Sequence, residues 1–257
     1  MKVLETKSLS KNFGGLQAVS NVNIVANKGE LIGLIGPNGA GKTTLFNLLT
    51  GVYEASSGEI NLYRDGKELN IVGKKPHTVT QLGIARTFQN IRLFKELTVL
   101  DNIKVAMNNE IKYGLISTIL RLPKYYREEE KVEKKAQFLL NEVGLLSKKD
   151  EKAKNLPYGE QRKLEIARAL ATNPSILFLD EPAAGMNPRE TKELTTLIEE
   201  LRHKFDLTIV LIEHDMSLVM KICEKIYVLD YGRLIATGNP EQIKNNKRVI
   251  EAYLGED

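Results

Sequence analysis

The stretch GPNGAGKTT, residues 36 to 44, decides the fold class of this chain. It fits the pattern G-x-x-x-x-G-K-[ST], which is expected by chance on the order of 0.01 times in a chain of this length. A dense apolar run, residues 30 to 36, precedes it, and a helical pattern that ends at Gly51 follows it. The context therefore predicts a strand, a phosphate-binding loop and a helix, and leaves an ordinary glycine-rich turn as the alternative.

Each residue type in this loop has a physical role in holding a phosphate. Backbone N–H groups must converge on the anion, and side chains would block that approach. Lys42 supplies a point charge for the β- and γ-phosphates, and the Thr43 hydroxyl is suited to ligate Mg²⁺. The predicted nucleotide-binding residues of the loop are Gly36, Pro37, Asn38, Gly39, Ala40, Gly41, Lys42, Thr43 and Thr44.

A second apolar run ends in two acidic residues, in SILFLDEP at 175 to 182. An acid at the carboxyl end of a buried strand lies near the phosphate loop in an open α/β sheet. We therefore expect Asp180 to hold Mg²⁺, directly or through water, and Glu181 to polarise the attacking water as a general base. Taken alone, the stretch is equally consistent with a strand-ending turn.

The remaining patterns predict an α/β protein with a mainly parallel sheet. From residue 161 onward, short apolar strands alternate with amphipathic helices, as in sheets covered on both faces. The pairs Gly14-Gly15 and Asp65-Gly66 predict antiparallel hairpins in the first third of the chain. Asn187 and Glu190 predict a capping box at the start of one of the later helices.

Residues 92 to 146 have a different character, being rich in Lys and Glu and helical in pattern. A buried stripe is predicted at Val132, Ala136, Leu139 and Val143. We therefore expect a single domain over 1–257, in which 1–90 and 161–257 form the nucleotide-binding core with its antiparallel β part and 91–160 form a helical subdomain.

Composition limits the classes of function. The chain has 257 residues and a formal net charge of +4, which is not the footprint of a nucleic-acid-binding protein. Its single cysteine, Cys223, excludes an internal disulfide and is predicted to be buried. No apolar run approaches the roughly 20 residues of a membrane-spanning helix, and the N-terminus alternates like a strand rather than like a signal peptide. We expect no transmembrane segment.

Five motifs occur in the order found in ABC ATPases, the nucleotide-binding subunits of ABC transporters: GPNGAGKTT, FQN (88–90), LPYGEQ (156–161), LFLDEP and IEHD (212–215). The chain resembles that family over essentially its whole length. The resemblance implies a P-loop NTPase fold, binding of ATP with Mg²⁺, and hydrolysis by two such chains together. A GTPase is disfavoured because no Asn-Lys-x-Asp follows the loop, and a small-molecule kinase leaves 161–257 unexplained.

The resemblance also implies roles for three residues outside the phosphate loop. Gln89 matches the Q-loop glutamine, which touches Mg²⁺ or the attacking water and links the ATP site to the helical insert. His214 matches the H-loop histidine that contacts the γ-phosphate, and Phe13 matches the aromatic residue that stacks on adenine. Taken alone, Gln89 favours a solvated loop glutamine and His214 a structural histidine, whereas Phe13 leaves a core phenylalanine as the alternative.

LPYGEQ is an altered form of the family's signature loop, which usually reads Leu-Ser-Gly-Gly-Gln and faces the γ-phosphate held by a second subunit. Leu156 and Gly159 fit, whereas Pro157 replaces the Ser, Tyr158 the first Gly and Glu160 the Gln. The following helix can still attract phosphate through its N-terminus, but the hydroxyl contact and one N–H are lost. We hypothesise that the chain prefers a non-identical ATPase partner, although a homodimer stays possible.

The same region, with EPAAGMNP (181–188) and the ending IEAYLGED, resembles the ATPases of branched-chain amino acid importers, and the insert around 111 to 135 fits the longer of their two ATPases. This implies transmembrane permease subunits, a solute-binding protein as an indirect partner, no nucleic acid, and a peripheral location at the cytoplasmic face of the membrane. ATPases of urea or lipopolysaccharide transport, a soluble ABC protein of DNA repair or translation, and a regulator without turnover are the alternatives.

Overall fold

The structure is a computed structural model that describes residues 1–107 and 123–254. Its strands are β1 (Lys2–Phe13), β2 (Leu16–Val22), β3 (Val25–Asn27), β4 (Leu31–Ile35), β5 (Ser57–Arg64), β6 (Lys67–Asn70), β7 (Ile84–Arg86), β8 (Ile176–Asp180), β9 (Thr208–Ile212), β10 (Lys225–Asp230) and β11 (Arg233–Gly238). Its α-helices are α1 (Lys42–Leu49), α2 (Pro76–Gln81), α3 (Val99–Ala106), α4 (Pro123–Glu142), α5 (Tyr158–Leu170), α6 (Pro188–Lys204), α7 (Met216–Ile222), α8 (Pro240–Lys244) and α9 (Lys247–Leu254).

The central sheet has six strands in the order β11–β10–β4–β9–β8–β7. All neighbours from β10 to β7 are parallel, and only β11 runs antiparallel to the rest. Every residue of β4, β8 and β9 is buried, which explains why these strands read as unbroken apolar runs. The predicted mainly parallel sheet is confirmed, and the carboxyl ends of β4, β9, β8 and β7 meet at one edge.

The first third of the chain also forms a separate antiparallel sheet. Strands β2, β1, β5 and β6 lie in that order, and β3 pairs with β1. The predicted turn between β5 and β6 is confirmed: Asp65 and Gly66 both have positive φ, 52° and 75°, as a two-residue hairpin requires. This sheet brings β2 of the β1–β2 hairpin alongside the phosphate loop, since the carbonyl of Ala18 approaches Gly41.

Two hydrophobic cores cover the two faces of the central sheet. In β8, Leu177 and Leu179 join the core on the side of α3 to α7, whereas Ile176 and Phe178 join the core on the side of α1 and the antiparallel sheet. Phe178 meets Phe46 of α1 edge to face, with ring centroids 4.9 Å apart. A fully buried side chain of this size contributes roughly 1.5–3 kcal/mol, so the position of the phosphate-loop helix is strongly specified.

The helical layer packs on the first of these cores. Val132, Ala136, Leu139 and Val143 are all buried, as the stripe predicts. About half of the insert around 111 to 135 lies outside the described residues. The boundary predicted between 160 and 161 falls inside the first turn of α5, because that helix begins at Tyr158. The division into core and helical subdomain therefore stays a prediction.

Local predictions for the later elements hold. Asn187 caps α6 in a capping box with Glu190, whose side chain accepts from the Asn187 N–H at 3.0 Å. Cys223 is buried, and burial raises the pKa of its thiol to about 12.

Within residues 1–107 and 123–254, the helices are too short or too polar to cross a bilayer.

Candidate nucleotide-binding site

A cavity of ≈ 530 Å³ opens at the sheet edge where the carboxyl ends of the parallel strands meet. This is the edge at which open α/β sheets bind ligands. The phosphate loop forms one wall, the β1–β2 hairpin a second, and residues from four other connections the remainder. The lining residues are Phe13, Leu16, Gln17, Ala18, Asn38, Gly39, Ala40, Gly41, Lys42, Thr43, Thr44, Gln89, Glu181, His214, Tyr231 and Gly232.

The glycines of the phosphate loop are required by close backbone contacts. Gly36 has φ 149°, and a Cβ there would collide with the carbonyl oxygen of Leu229. Gly41 has φ 96°, and a Cβ there would lie 2.5 Å from the carbonyl oxygen of Ala18. Gly41 is also the N-cap of α1 and has no side chain to bond the first N–H groups of the helix. The helix N-terminus is therefore suited to an anion such as a phosphate.

Lys42 is held within the loop itself. Its side chain is nearly buried, and Nζ donates to the carbonyl oxygens of Gly36 at 2.6 Å and Pro37 at 2.8 Å. Gly36 and Pro37 are the two predicted loop residues that do not line this cavity; their carbonyls instead position the ammonium group. The positive charge thus lies at the floor of the loop, where a phosphate would meet it.

Three loops converge on the carboxylate of Glu181. Gln89, after β7, donates from Nε2 to Oε2 at 2.8 Å, and Nε2 of His214, after β9, lies 2.8 Å from Oε1. The backbone of Glu181 has φ 46°, in the left-handed region, and its N–H bonds the carbonyl of Ile212 at 2.9 Å. Such a conformation costs of order 1–3 kcal/mol and is found mostly at functional sites. All three residues that the sequence singled out for catalysis therefore meet at one group.

Asp180 lies behind this cluster rather than in the cavity wall. Its carboxylate is nearly buried, and Oδ2 accepts from Nη2 of Arg86 at 3.1 Å. Burial raises the pKa of the Asp180 carboxyl above its ordinary value, and the neighbouring Arg86 charge opposes that rise. Its backbone N–H donates to Oγ1 of Thr87 at 3.3 Å, which ties the end of β8 to the end of β7.

The oxygen donors here suit a magnesium–nucleotide complex rather than a metal ion alone. In the described part of the chain, no three His, Cys, Asp or Glu side chains are placed to hold a metal. Mg²⁺ in phosphoryl-transfer sites takes one or two carboxylates and completes its shell with phosphates and water. Asp180, the Thr43 hydroxyl and the Gln89 amide oxygen are ligands of the hard type that this ion prefers.

Phe13 lies at the mouth of the cavity. Its side chain is 43% exposed, so a role as a core residue, one of the two alternatives, is wrong. Its ring meets Tyr53 edge to face at 5.3 Å between centroids, and Nζ of Lys11 lies 5.0 Å from the Phe13 centroid. An exposed ring beside the phosphate loop offers a face on which a planar base can stack.

The altered signature loop lies apart from this cavity, since none of residues 156–160 is among its lining. Pro157 is the N-cap of α5 and makes no side-chain cap bond. The hydroxyl of Tyr158 accepts from Nη2 of Arg162 at 3.3 Å, and its ring covers Gly185 in the loop after Glu181. Leu156 is buried, Gly159 lies beside Glu190, and Glu160 pairs with Lys148 at 2.6 Å.

A buried ion pair on α5, which the sequence did not single out, holds the Q-loop. The side chain of Arg162 is fully buried; Nη1 donates to the carbonyl of Phe88 at 2.6 Å and Nη2 donates to that of Gln89 at 2.8 Å. Nη1 also donates to Oε2 of Glu165 at 2.8 Å, and Oε1 of Glu165 accepts from the N–H groups of Phe88 and Arg92. The sequence signal for this pair was two opposite charges three residues apart, Arg162 and Glu165, on the apolar side of α5.

Other residues of the site were also missed. Tyr231 and Gly232 form the turn between β10 and β11 and line the cavity, as do Leu16 to Ala18 of the first hairpin. Glu213 is buried beside the cluster and accepts from the N–H groups of Ala183 and His214. The glycine-containing turns were visible in the sequence, but which turn would face the phosphate loop depends on the packing of the two sheets.

Replacing Arg162 by Met is expected to lower the free energy of unfolding by about 3–5 kcal/mol, because it leaves the Glu165 carboxylate buried without its counter-charge. Urea unfolding followed by circular dichroism measures the change. Arg189→Met, which removes a surface ion pair to Glu193, is the control and should leave the unfolding midpoint unchanged. Equal stability of the Arg162→Met and Arg189→Met proteins would contradict the structural importance of this buried pair.

Two family models match the chain. The model for "ABC transporter" matches residues 19–184, which is more than half of the chain. The model for "Branched-chain amino acid ATP-binding cassette transporter" matches residues 233–257. The first range contains the phosphate loop and the Gln89 and Glu181 segments, and the second begins at β11.

Several named proteins are similar over nearly their whole length. The chain is 49% identical over 254 residues to the high-affinity branched-chain amino acid transport ATP-binding protein LivG of Escherichia coli (strain K12), covering 99% of this chain and 98% of that protein. It is 46% identical to BraF of Pseudomonas aeruginosa, a protein with the same description, at the same coverage. The lipopolysaccharide export system ATP-binding protein LptB of Haemophilus influenzae is 35% identical, covering 100% of this chain and 98% of that protein.

Solved structures agree with this assignment. An ATP-binding cassette of an ABC transporter in its ADP conformation superposes with a TM-score of 0.84 at 34% identity, covering all of both chains. A nucleotide-free cassette from an ABC transporter superposes with a TM-score of 0.83 at 35% identity, again covering all of both chains. With the family model, these relatives and the Glu181 cluster beside the phosphate loop in agreement, this chain belongs to the ABC ATPases, the ATP-binding cassettes of ABC transporters.

Proposed function

We propose that this chain binds and hydrolyses ATP as a subunit of an ABC importer for branched-chain amino acids. The convergence of Gln89 and His214 on Glu181 beside the phosphate loop supports the hydrolytic part of the proposal. The solute is supported by the 49% and 46% identity to proteins described as branched-chain amino acid transport ATPases, against 35% for the lipopolysaccharide export protein.

Binding starts from the charges and backbone groups of the phosphate loop. The N–H groups of residues 38–44 and the Lys42 ammonium hold the β- and γ-phosphates, and Gly36 and Pro37 support Lys42 from below through their carbonyls. Phe13 stacks on the adenine ring from the opposite wall. When bound, Mg²⁺ neutralises charge on the β- and γ-phosphates, and Thr43, Gln89 and Asp180 are the residues that would hold it.

Hydrolysis depends on the Glu181 carboxylate. It accepts a proton from the attacking water as a general base, a role that typically contributes 10²–10⁴-fold to the rate. Gln89 and His214 hold its two oxygens from opposite loops, so the carboxylate keeps one orientation. His214 also lines the cavity, where its ring can contact the γ-phosphate.

We propose that two ATPase chains together form each complete ATP site. Because residues 156–160 lie outside the cavity of their own chain, we assign them to the ATP bound by a second ATPase chain. Membrane-spanning permease subunits are the other partners, with a solute-binding protein acting through them. We place the chain at the cytoplasmic face of the membrane and assign it no nucleic-acid partner. The helical layer next to Gln89 would transmit the closing of the two ATPase chains around ATP to the permease subunits.

We expect the chain to turn over ATP at least about tenfold faster with a non-identical partner ATPase and the permeases than alone, because Pro157 removes a hydroxyl and an N–H that would touch the partner's phosphate. The measurement compares purified chain with the complex in proteoliposomes, with leucine uptake as a second readout. Full, cooperative hydrolysis by the isolated homodimer would rule out the requirement for a different partner.

The solute is tested in the same vesicles. ATP-driven uptake of leucine, isoleucine or valine but not of urea supports the proposed importer. Activity with lipopolysaccharide-transport permeases instead would reassign the chain within the family. Co-purification with ribosomes or DNA and not with membranes would favour a soluble ABC protein, and ATP binding without turnover in the full complex would favour a regulator.

A further inference from the structure

Arg86 is the last residue of β7 and lies between the metal-binding end of β8 and the phosphate-loop helix α1. Its side chain is only 12% exposed, and the motifs that identify the family do not include it. Four of its contacts are polar and two are aromatic. Together they place one guanidinium where three parts of the site meet.

The polar contacts tie Asp180 to α1. Nη2 donates to Oδ2 of Asp180 at 3.1 Å, while Nη1 donates to Oδ1 of Asn47 at 2.7 Å and to Oγ1 of Thr50 at 3.0 Å. Nε donates to the carbonyl of Thr87 at 3.3 Å. A planar guanidinium with five donors can make all these bonds at once, whereas a single ammonium cannot.

Aromatic rings restrict the guanidinium further. Cζ of Arg86 lies 4.7 Å from the centroid of Phe88 and 5.7 Å from that of Phe46. Arg86 and Phe88 also form part of the wall of a second cavity, a groove of ≈ 220 Å³ between β7 and α5. The guanidinium therefore separates this groove from the end of β8, and its position leaves little freedom of rotation.

The carboxylate of Asp180 depends on this one side chain. The Asp180 side chain is 6% exposed, and within residues 1–107 and 123–254 no other donor lies within hydrogen-bond distance of its carboxylate. Only Oδ2 is engaged, so Oδ1 keeps its lone pairs. Arg–carboxylate pairs frequently engage both oxygens in a two-pronged contact, whereas here Arg86 bonds one oxygen and leaves the other available to a further ligand.

We propose that Arg86 is a positioning residue for magnesium binding. It holds Asp180 by one carboxylate oxygen and leaves the other for the metal or its water. Its bonds to Asn47 and Thr50 also fix the position of the Asp180 carboxylate relative to α1. This inference rests on the proposed ATPase function. Removing the groups that orient a metal ligand typically weakens metal binding 10–100-fold. Arg86 is thus expected to affect metal affinity more than nucleotide affinity.

The test uses the full chain with Mn²⁺ as the spectroscopic substitute for Mg²⁺ and a non-hydrolysable ATP analogue. With protein in excess, so that all the analogue is bound, electron paramagnetic resonance of free Mn²⁺ gives the metal dissociation constant. A fluorescent ATP analogue without metal gives the nucleotide affinity. We expect Arg86→Met to raise the Mn²⁺ dissociation constant about tenfold and Arg86→Lys about threefold. Metal-free nucleotide affinity should change less than about twofold, because Arg86 does not line the nucleotide cavity.

Arg92→Met is the matched control. Its guanidinium also lies over the Phe88 ring, 4.1 Å from the centroid, but it does not bond Asp180. This variant should bind Mn²⁺ as the wild type does. If Arg86→Met unfolds, which thermal denaturation would show, the Arg86→Lys protein decides the question.

The outcomes distinguish a failure of the Arg86 proposal from a failure of the proposed ATPase function. Wild-type protein that binds neither the ATP analogue nor Mn²⁺ would refute the proposed ATPase function. Wild-type protein that binds both, with Arg86 variants that bind Mn²⁺ equally well or more tightly, would overturn only the role of Arg86, the tighter binding indicating that it competes with the metal.

Discussion

Replacing Glu181 by Gln is expected to slow ATP turnover by at least about 100-fold while ATP still binds, so that two chains accumulate in the ATP-bound dimer. The amide has the size of the carboxylate, but it cannot accept the proton of the attacking water. One of its two terminal atoms also becomes a donor, and it then faces either Gln89 Nε2 or His214 Nε2, both of which lie 2.8 Å from the carboxylate oxygens.

Two measurements check this expectation. Single-turnover kinetics report the hydrolysis step, and light scattering with ATP and magnesium reports the dimer. Glu193→Gln, the same substitution on a surface residue of α6, is the control and should hydrolyse ATP at the wild-type rate. Unimpaired turnover in the Glu181→Gln protein would assign the general base to another group.

Replacing Lys42 by Ala is expected to weaken ATP binding by about 10- to 150-fold, because a buried ammonium that bonds phosphate oxygens contributes roughly 1.5–3 kcal/mol and its charge is not replaced. The change also leaves the carbonyls of Gly36 and Pro37 without their donor, so the loop loses the contacts that shape it. The phosphate-loop assignment predicts this as the largest effect on nucleotide binding.

Equilibrium titration with a fluorescent ATP analogue measures the Lys42→Ala effect directly. Lys28→Ala, which removes a surface ion pair to Asp206 at the amino ends of β4 and β9, serves as the control. We expect that variant to bind the analogue with wild-type affinity. Unchanged affinity in the Lys42→Ala protein would contradict the assignment of residues 36–44 as the triphosphate site.

Local patterns predicted much of the fold. The buried strands β4, β8 and β9 followed from unbroken apolar runs, the hairpin at Asp65-Gly66 from its turn chemistry, and the start of α6 from its capping box. These features depend on neighbours within a few residues, so a single sequence contains the information. The candidate catalytic and binding residues could also be predicted from the sequence, because motifs in a fixed order identified a family.

The packing of the site was not readable in the same way. Arg86 reaches Asp180 across 94 residues of sequence, and Arg162 reaches the backbone of Phe88 across 74. Tyr158, which looked like a departure from a family motif, covers Gly185 and bonds Arg162. No periodicity or turn rule relates such positions, since their proximity follows from the order in which β7, β8 and β9 join the sheet.

The sequence by itself thus determined a phosphate-binding α/β fold, the identities of Lys42 and Glu181, and membership of a family. Only the tertiary structure decided which charges neutralise one another and which loops share a hydrogen-bond network. The physical reason is that propensity and patterning act along the chain, whereas the pairing of buried charges depends on distances that exist only after the strands have assembled.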